Sequence, residues 1–258
     1  MMHITEVIPH PISVPLKQPS WTAHEISTTA TLILVEVRTD DGLIGYGEVQ
    51  GGPQEDITGA LPLADEMTRI QLTREAIGDA QLMLDMNAPY TVADCTRFAR
   101  AVEPFDIAWL EEPLHWYLQP DDYVQLASAT SIPLAHGERE WHRFTIREFV
   151  KSGALTYVQF DATRHAGFTE SLRIAHLAEQ MGVFIAPHTA PHLHAHLVAA
   201  FGDKAFGAES HGDPDRHPIQ HELYSGGPEF RDGQLHLSDR PGFGVDVNRK
   251  YLIRHHSG

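Results

Sequence analysis

QLMLD (81–85), IAWLE (107–111) and IPLAHGE (132–138) are the runs on which the reading of this chain turns. Each is a short apolar stretch closed by an acid, the pattern of a buried strand that ends at a polar rim. The acids are Asp85, Glu111 and Glu138, and helical patterns fill the gaps, Thr91 to Glu103 and Asp121 to Thr130. Alternating strand and helix units build a parallel sheet, and in a barrel of such units the strand C-termini form the active face. Three carboxylates gathered on one rim repel one another unless a cation lies between them. Oxygen-only ligands suit a hard divalent ion such as Mg²⁺. Asp85, Glu111 and Glu138 are therefore candidate metal ligands, against the plainer reading of three unrelated rim acids.

Further units follow the same plan. LTYVQF runs into Asp161, VFIAP into His188 and AFGAE into Glu209, with helical patterns over Thr145 to Lys151, Thr169 to Met181 and Pro191 to Ala200. Asp161 and His188 then stand on neighbouring strands. A carboxylate bonded to one imidazole nitrogen fixes the tautomer and raises the basicity of the other, which makes a general base. Taken singly each residue would pass as structural; beside three acids they read as catalytic. Glu209 faces them as a candidate acid for a developing oxyanion. Asn87 and His136, close to the first and third acids, are candidates for contacting substrate, and Glu112 for supporting the second acid. His192, His194 and His196 are expected to be surface or packing residues, with His192 nearest the site.

The first 50 residues are different material. Ile4 to Val14, TLILVEVRT (31–39) and LIGYGEV (43–49) read as antiparallel strands, the last two joined by the turn Asp40-Asp41-Gly42. Between the first two, Lys17 to Ala30 reads as a polar-aromatic loop whose Trp21 and His24 either lid the site or lie on the surface. From Leu61 a helical period places Leu63, Met67, Ile70, Arg74 and Ile77 on one face, ending at Gly78. Thr91 to Asp94 reads as the cap of the next helix.

Composition sets the outer bounds. With 258 residues, of which 42% are hydrophobic, a sizeable core is available. A net charge of −16 argues against nucleic acid. The single cysteine, Cys95, excludes an internal disulfide and points to a reducing, cytoplasmic setting. No apolar run reaches membrane-spanning length, and no secretory leader pattern is read at the start.

The order Asp, Glu, Glu, Asp, His, Glu on successive strand ends, with the phrases LDMN, WLEEP, HGE and APHT, resembles the enolase superfamily. Within it, the similarity is to the mandelate racemase-like branch that includes acid-sugar dehydratases. TLILVEVRTDDGLIGYGE resembles that family's N-terminal capping sheet and DGQLHLSDRPGFGVDV its C-terminal return. The resemblance implies an α/β fold: a modified (β/α) TIM-type barrel under an α+β capping domain built from both chain ends. The expected divisions are 1–55 for the capping sheet, 56–217 for the barrel and 218–258 for the return. It implies Mg²⁺-dependent abstraction of the proton α to a carboxylate of a small hydroxy acid, most simply dehydration of an aldonate or aldarate to a 2-keto-3-deoxy acid. A racemase, epimerase or cycloisomerase of the same superfamily is the alternative. The chain departs from the family in two places. The family's Lys-x-Lys is absent, its place held by Gln54-Glu55-Asp56, and six βα units are recognisable where a closed barrel has eight. The missing material, roughly 100 residues with the capping domain's helical part, falls around Gly52 to Thr58, as a natural deletion or an artefact. An inactive remnant is therefore a second hypothesis, and open sheet edges point to a homo-oligomer.

Overall fold

The acid-ended runs fold as parallel strands, and their partners alternate with helices along the chain. The computed structural model describes residues 3–21, 26–49, 63–210, 214–215 and 217–256. The N-terminal sheet holds β1 (Ile4–Trp21), β2 (Ile26–Thr39) and β3 (Ile44–Val49), paired antiparallel in that order. Next come α1 (Leu63–Ile77), β4 (Leu82–Asp85), α2 (Val92–Val102), β5 (Ile107–Glu111), α3 (Pro120–Ala127), β6 (Leu134–His136) and α4 (Arg143–Ser152). The repeat continues through β7 (Tyr157–Val158), α5 (Gly167–Met181), β8 (Phe184–Ile185) and α6 (Pro191–Phe201). The C-terminal part holds α7 (Pro218–Leu223), β9 (Tyr224–Gly226), β10 (Glu229–Arg231), β11 (Gln234–His236), β12 (Val245–Val247) and α8 (Arg249–His255).

Strands β4 to β8 form one parallel sheet in sequence order, the incomplete barrel that the repeat predicts. The sixth run contributes less than a strand. Ala205 makes a single parallel bridge to Ile185, reinforced by the Phe206 amide donating to the Ile185 carbonyl at 2.8 Å. Five full strands and one bridge thus stand where six units are expected. The polar-aromatic loop is also corrected. β1 and β2 extend through most of it, with Ser20 paired to Ser27 and Trp21 to Ile26, because Thr, Ile and Ser-Thr runs suit a pleated edge. His24, the side chain of Trp21 and the 52–58 junction with Gln54-Glu55-Asp56 lie outside the described residues.

Two apolar layers follow from alternation along the strands. Leu110, Leu134, Val158, Phe160 and Ile185 face the helices, packing with Phe98, Leu126, Ile146, Ile174 and Leu197. Trp109, Ala135 and Ala186 face the other way, with Tyr157 and Phe206 against them. Cys95 is wholly buried in the helix layer. Burial, and then the neighbouring charge of Asp94, pushes its thiol up to about 12. The native protein should therefore be inert to a disulfide exchange reagent at mildly alkaline pH and react fully once unfolded. Rapid labelling of the folded chain would contradict the burial.

A separate cluster joins the chain ends. Ile12, Val14, Leu32 and Leu34 of the N-terminal sheet pack on Ile219, Leu223, Tyr251 and Leu252. Beneath them the buried Glu36 accepts from Arg38 Nε at 2.7 Å and Arg249 Nη1 at 3.3 Å. At the end of α1, Arg74 donates to the carbonyls of Phe105, Gly78, Ala80 and Asp106 at 2.7 to 2.9 Å. It thereby ties the turn after α1 to the loop that precedes β5. Arg74→Ala is expected to cost about 2 kcal/mol and lower the melting temperature by roughly 4–8 °C. A change below a degree in thermal denaturation would show the four bonds to be without net value.

Candidate functional site

The site is assembled at the C-terminal ends of β4 to β8. Asp85 and Glu111 are the last residues of β4 and β5, side by side in register. Each follows a leucine that faces the helices, so alternation turns the acid to the opposite face. Asp161 and His188 emerge the same way after β7 and β8. Glu138 needs a different device. Leu134 and His136 face the helices and share its parity, so simple alternation would send Glu138 there too. Gly137, at φ 136, breaks the alternation and turns Glu138 back onto the rim. A Cβ at Gly137 would lie 3.4 Å from the Gln159 backbone and from Val158 Cγ2, a tight fit at a position that is already strained for any other residue.

His136 is corrected for the same reason. Its ring lies among the helices, 4.8 Å from that of Tyr123 and 4.3 Å from that of Phe149, not at the rim. Its Nδ1 is 2.6 Å from Glu112 Oε1 and its Nε2 3.2 Å from Glu140. Burial alone would depress its basicity, but the charge and hydrogen bonds of Glu112 and Glu140 raise it to about 9. Glu112, in left-handed backbone at φ 42, also accepts from the Gly137 amide at 3.3 Å. It thereby supports the turn that aims Glu138.

The dyad is formed. His188 Nδ1 donates to Asp161 Oδ2 at 2.9 Å, and Asp161 Oδ1 accepts from the Thr163 amide and hydroxyl, both at 2.8 Å. Burial works against the Asp161 carboxylate, yet the His188 bond and charge, with Arg164, hold it well below the usual range. On the far side, His188 Nε2 lies 3.1 Å from Glu138 Oε2. Burial opposes a charged His188, while Glu138 and Asp161 outweigh it and raise the imidazole to about 9. With Glu138 and Asp161 against it, the ring is a stronger base than a free imidazole.

Glu138 is the most contested carboxylate. Burial raises it, but His188, Arg164 and Arg139 bring it below its ordinary value; Arg164 Nη1 donates to its Oε1 at 2.6 Å. Asp85 and Glu111 are in the opposite condition. Loss of water, then the charge of Glu138, pushes Asp85 up to about 6, although it keeps an exposed side. Burial and Asp85 itself push Glu111 well above the carboxylate range. Their hydrogen bonds come from uncharged donors: Asn87 holds both oxygens of Asp85, through its amide N at 2.9 Å and Nδ2 at 2.7 Å, and Trp109 Nε1 donates to Glu111 at 3.2 Å.

Among the described residues no Lys or Arg forms an ion pair with Asp85 or Glu111. Two crowded acids without a counter-cation fit a divalent ion by the chemistry of their donors. No three His, Cys, Asp or Glu side chains among the described residues close into a ready metal cage, because Glu138 faces Arg164 and His188. Glu209 joins the rim through the Thr189 amide, which donates to its Oε2 at 2.9 Å.

His194 and Arg164 are residues that the sequence reading missed. His194, read from sequence as surface or packing, is fully buried and bonded to the loop after β7, and Arg164 bridges Glu138 and Asp161 from that same loop. Pro191 at the start of α6 fixed the helical phase that would have turned the second following histidine inward. For Arg164, spacing alone gave no signal. His192 packs against Tyr224 with the rings tilted by 33° and their centroids 4.6 Å apart, and His196 lies beside Phe243.

This fold and rim define a class. The family profile described as Enolase C-terminal domain-like matches residues 44–251, and the chain belongs to that family. It is 32% identical over 193 residues to L-talarate/galactarate dehydratase of Salmonella typhimurium, covering 72% of this chain and 45% of the relative. It is 30% identical to 3,6-anhydro-alpha-L-galactonate cycloisomerase of Streptomyces coelicolor, covering 76% of this chain and 53% of the relative. The chain thus spans about half the length of these relatives. A mandelate racemase/muconate lactonizing enzyme from a marine actinobacterium, in complex with magnesium, shares the fold at a TM-score of 0.85 and 19% identity, over 100% of each chain. No described helix is long and apolar enough to cross a membrane.

Proposed function

We propose that this chain uses Mg²⁺ to abstract the proton α to the carboxylate of a sugar acid, and that the outcome is dehydration to a 2-keto-3-deoxy acid. The observation that carries the reading is the meeting of the Asp161–His188 dyad with Asp85, Glu111 and Glu138 on one rim. The dehydratase similarity supports the same substrate class. Asp85, Glu111 and Glu138 would hold the ion, Glu138 by exchanging its present partners. Mg²⁺, when bound, supplies positive charge opposite the substrate carboxylate and lowers the barrier to its enolate.

His188 takes the α-proton at Nε2, the nitrogen left after Nδ1 is committed to Asp161. Its conjugate acid then returns a proton to the β-hydroxyl, which departs as water, and the enol tautomerises to the keto acid. Asp161 holds the ring and stabilises its cation. Glu209 is assigned to the carboxylate oxygen that gains charge. Asn87 fixes Asp85 and is assigned to the metal side of the site, with no contact of its own to substrate needed. A second reading, cycloisomerisation, has the Streptomyces relative in its favour at almost equal identity. It shares the first proton transfer and differs in the leaving group.

The test is incubation with Mg²⁺ and a panel of aldonic and aldaric acids in D₂O, following α-deuterium uptake and keto-acid formation. Uptake with keto acid supports dehydration; uptake with an isomeric product supports the second reading. No uptake on any acid would leave the inactive-remnant hypothesis in possession. The edge of β4 pairs with no other described strand, so association with a second copy is also expected. It should appear as a mass above the monomer by size exclusion, with and without Mg²⁺; a monomer under both conditions would count against it.

A further inference from the structure

The turn after His188 runs through two consecutive left-handed residues, Thr189 at φ 47 and Ala190 at φ 42, ψ 54. Neither is glycine and both are buried. Such backbone persists only where its surroundings impose it. Here the imposing group is an imidazole that the proton-transfer scheme does not use. His194 Nε2 accepts from the Ala162 amide at 3.0 Å, and its Nδ1 donates to the Thr189 carbonyl at 2.8 Å. A backbone amide can only donate, so Nε2 carries no proton and the ring is fixed as the neutral Nδ1–H tautomer. Burial keeps it neutral, outweighing the pull of Asp161.

One buried ring therefore ties the residue following Asp161 to the residue following His188. The Thr189 amide, on the other side of the same Cα, is held by Glu209. We propose that His194 is a positioning residue, which keeps the Asp161–His188 pair in register by bridging the loops that carry them. The proposal rests on the reading of that pair as the proton-transfer dyad. Its physical content is that the bond to Thr189 matters more than the bond to Ala162. The first pins the strained turn that aims His188; the second only fastens the ring.

The two bonds can be separated by substitution in the full chain with Mg²⁺ present. An asparagine amide occupies the place of Nδ1 and keeps the donor to Thr189. A glutamine amide reaches the place of Nε2 and keeps the acceptor for Ala162. Two readouts are taken: the imidazole proton resonance of His188 bonded to Asp161, by ¹⁵N-edited NMR, and α-deuterium uptake split into kcat and KM.

His194→Ala is expected to lose the resonance and about 10²-fold in kcat, the effect of misplacing a reacting group by an ångström, with KM nearly unchanged. His194→Asn should restore most of both and His194→Gln little. If His194→Ala does not fold, the Asn and Gln pair alone decides. Equal behaviour of Asn and Gln, or an Ala variant that keeps the resonance and kcat, would overturn the proposal and leave His194 a packing residue. Should the wild type exchange no acid at all, the reaction assignment fails, while the His188 resonance still tells whether His194 positions the ring.

Discussion

Replacing His188 with Asn is expected to lower α-deuterium uptake by about 10²- to 10⁴-fold, the usual contribution of a positioned base. The amide can occupy the ring's place and donate to Asp161, but it cannot accept a proton. Asp161 keeps both donors of Thr163 and the nearby Arg164, so the fold should survive the change. The loss should fall on kcat, since His188 stands between two carboxylates and not on an obvious binding surface. Uptake within threefold of the wild type, on whichever acid the wild type exchanges, would remove His188 from the reaction.

Glu111→Ala should abolish calorimetric Mg²⁺ binding, and the isosteric Glu111→Gln adds a sharper expectation. Burial and the adjacent Asp85 penalise the charged carboxylate of Glu111, so a neutral amide of the same shape should raise the melting temperature of the metal-free protein. In the wild type, Mg²⁺ at one hundred times its Kd should stabilise by about 2.7 kcal/mol, or roughly 5–10 °C. Both Glu111 variants should lose that rise. Equal binding heats in wild type and Glu111→Ala, or a metal-free Glu111→Gln that melts well below the wild type, would remove Glu111 from the metal assignment.

Much of the rim was legible because its residues obey one rule: an acid or histidine directly after a buried strand. Asp85, Glu111, Asp161 and His188 sit where alternation puts them. The rule fails at His136 and Glu138, which share parity in the sequence and part company at Gly137, where a backbone angle that only glycine adopts easily reverses the side. Strand lengths were overestimated because the apolar runs continue past the ladder. In the sixth run only Ala205 pairs, while Phe206 packs against Trp109. His194 and Arg164 were missed for a different reason. Their partners are backbone groups and acids on other loops, and no periodicity in their own segments encodes those.

The joining of the chain ends bears on synthesis as well as stability. Glu36 meets Arg249 across 213 residues of chain, so the apolar side of the first sheet is finished only after that much further chain has been made. At about 5–20 residues per second, the ribosome leaves that hairpin waiting on the order of 10–40 s. Throughout that interval Ile12, Val14, Leu32 and Leu34 have no C-terminal cover, and a flat strand pair without cover is an invitation to pairing between nascent chains. Yield in the cell should therefore depend on translation rate and on chaperones that hold hydrophobic hairpins, even for variants whose finished fold is as stable as the parent.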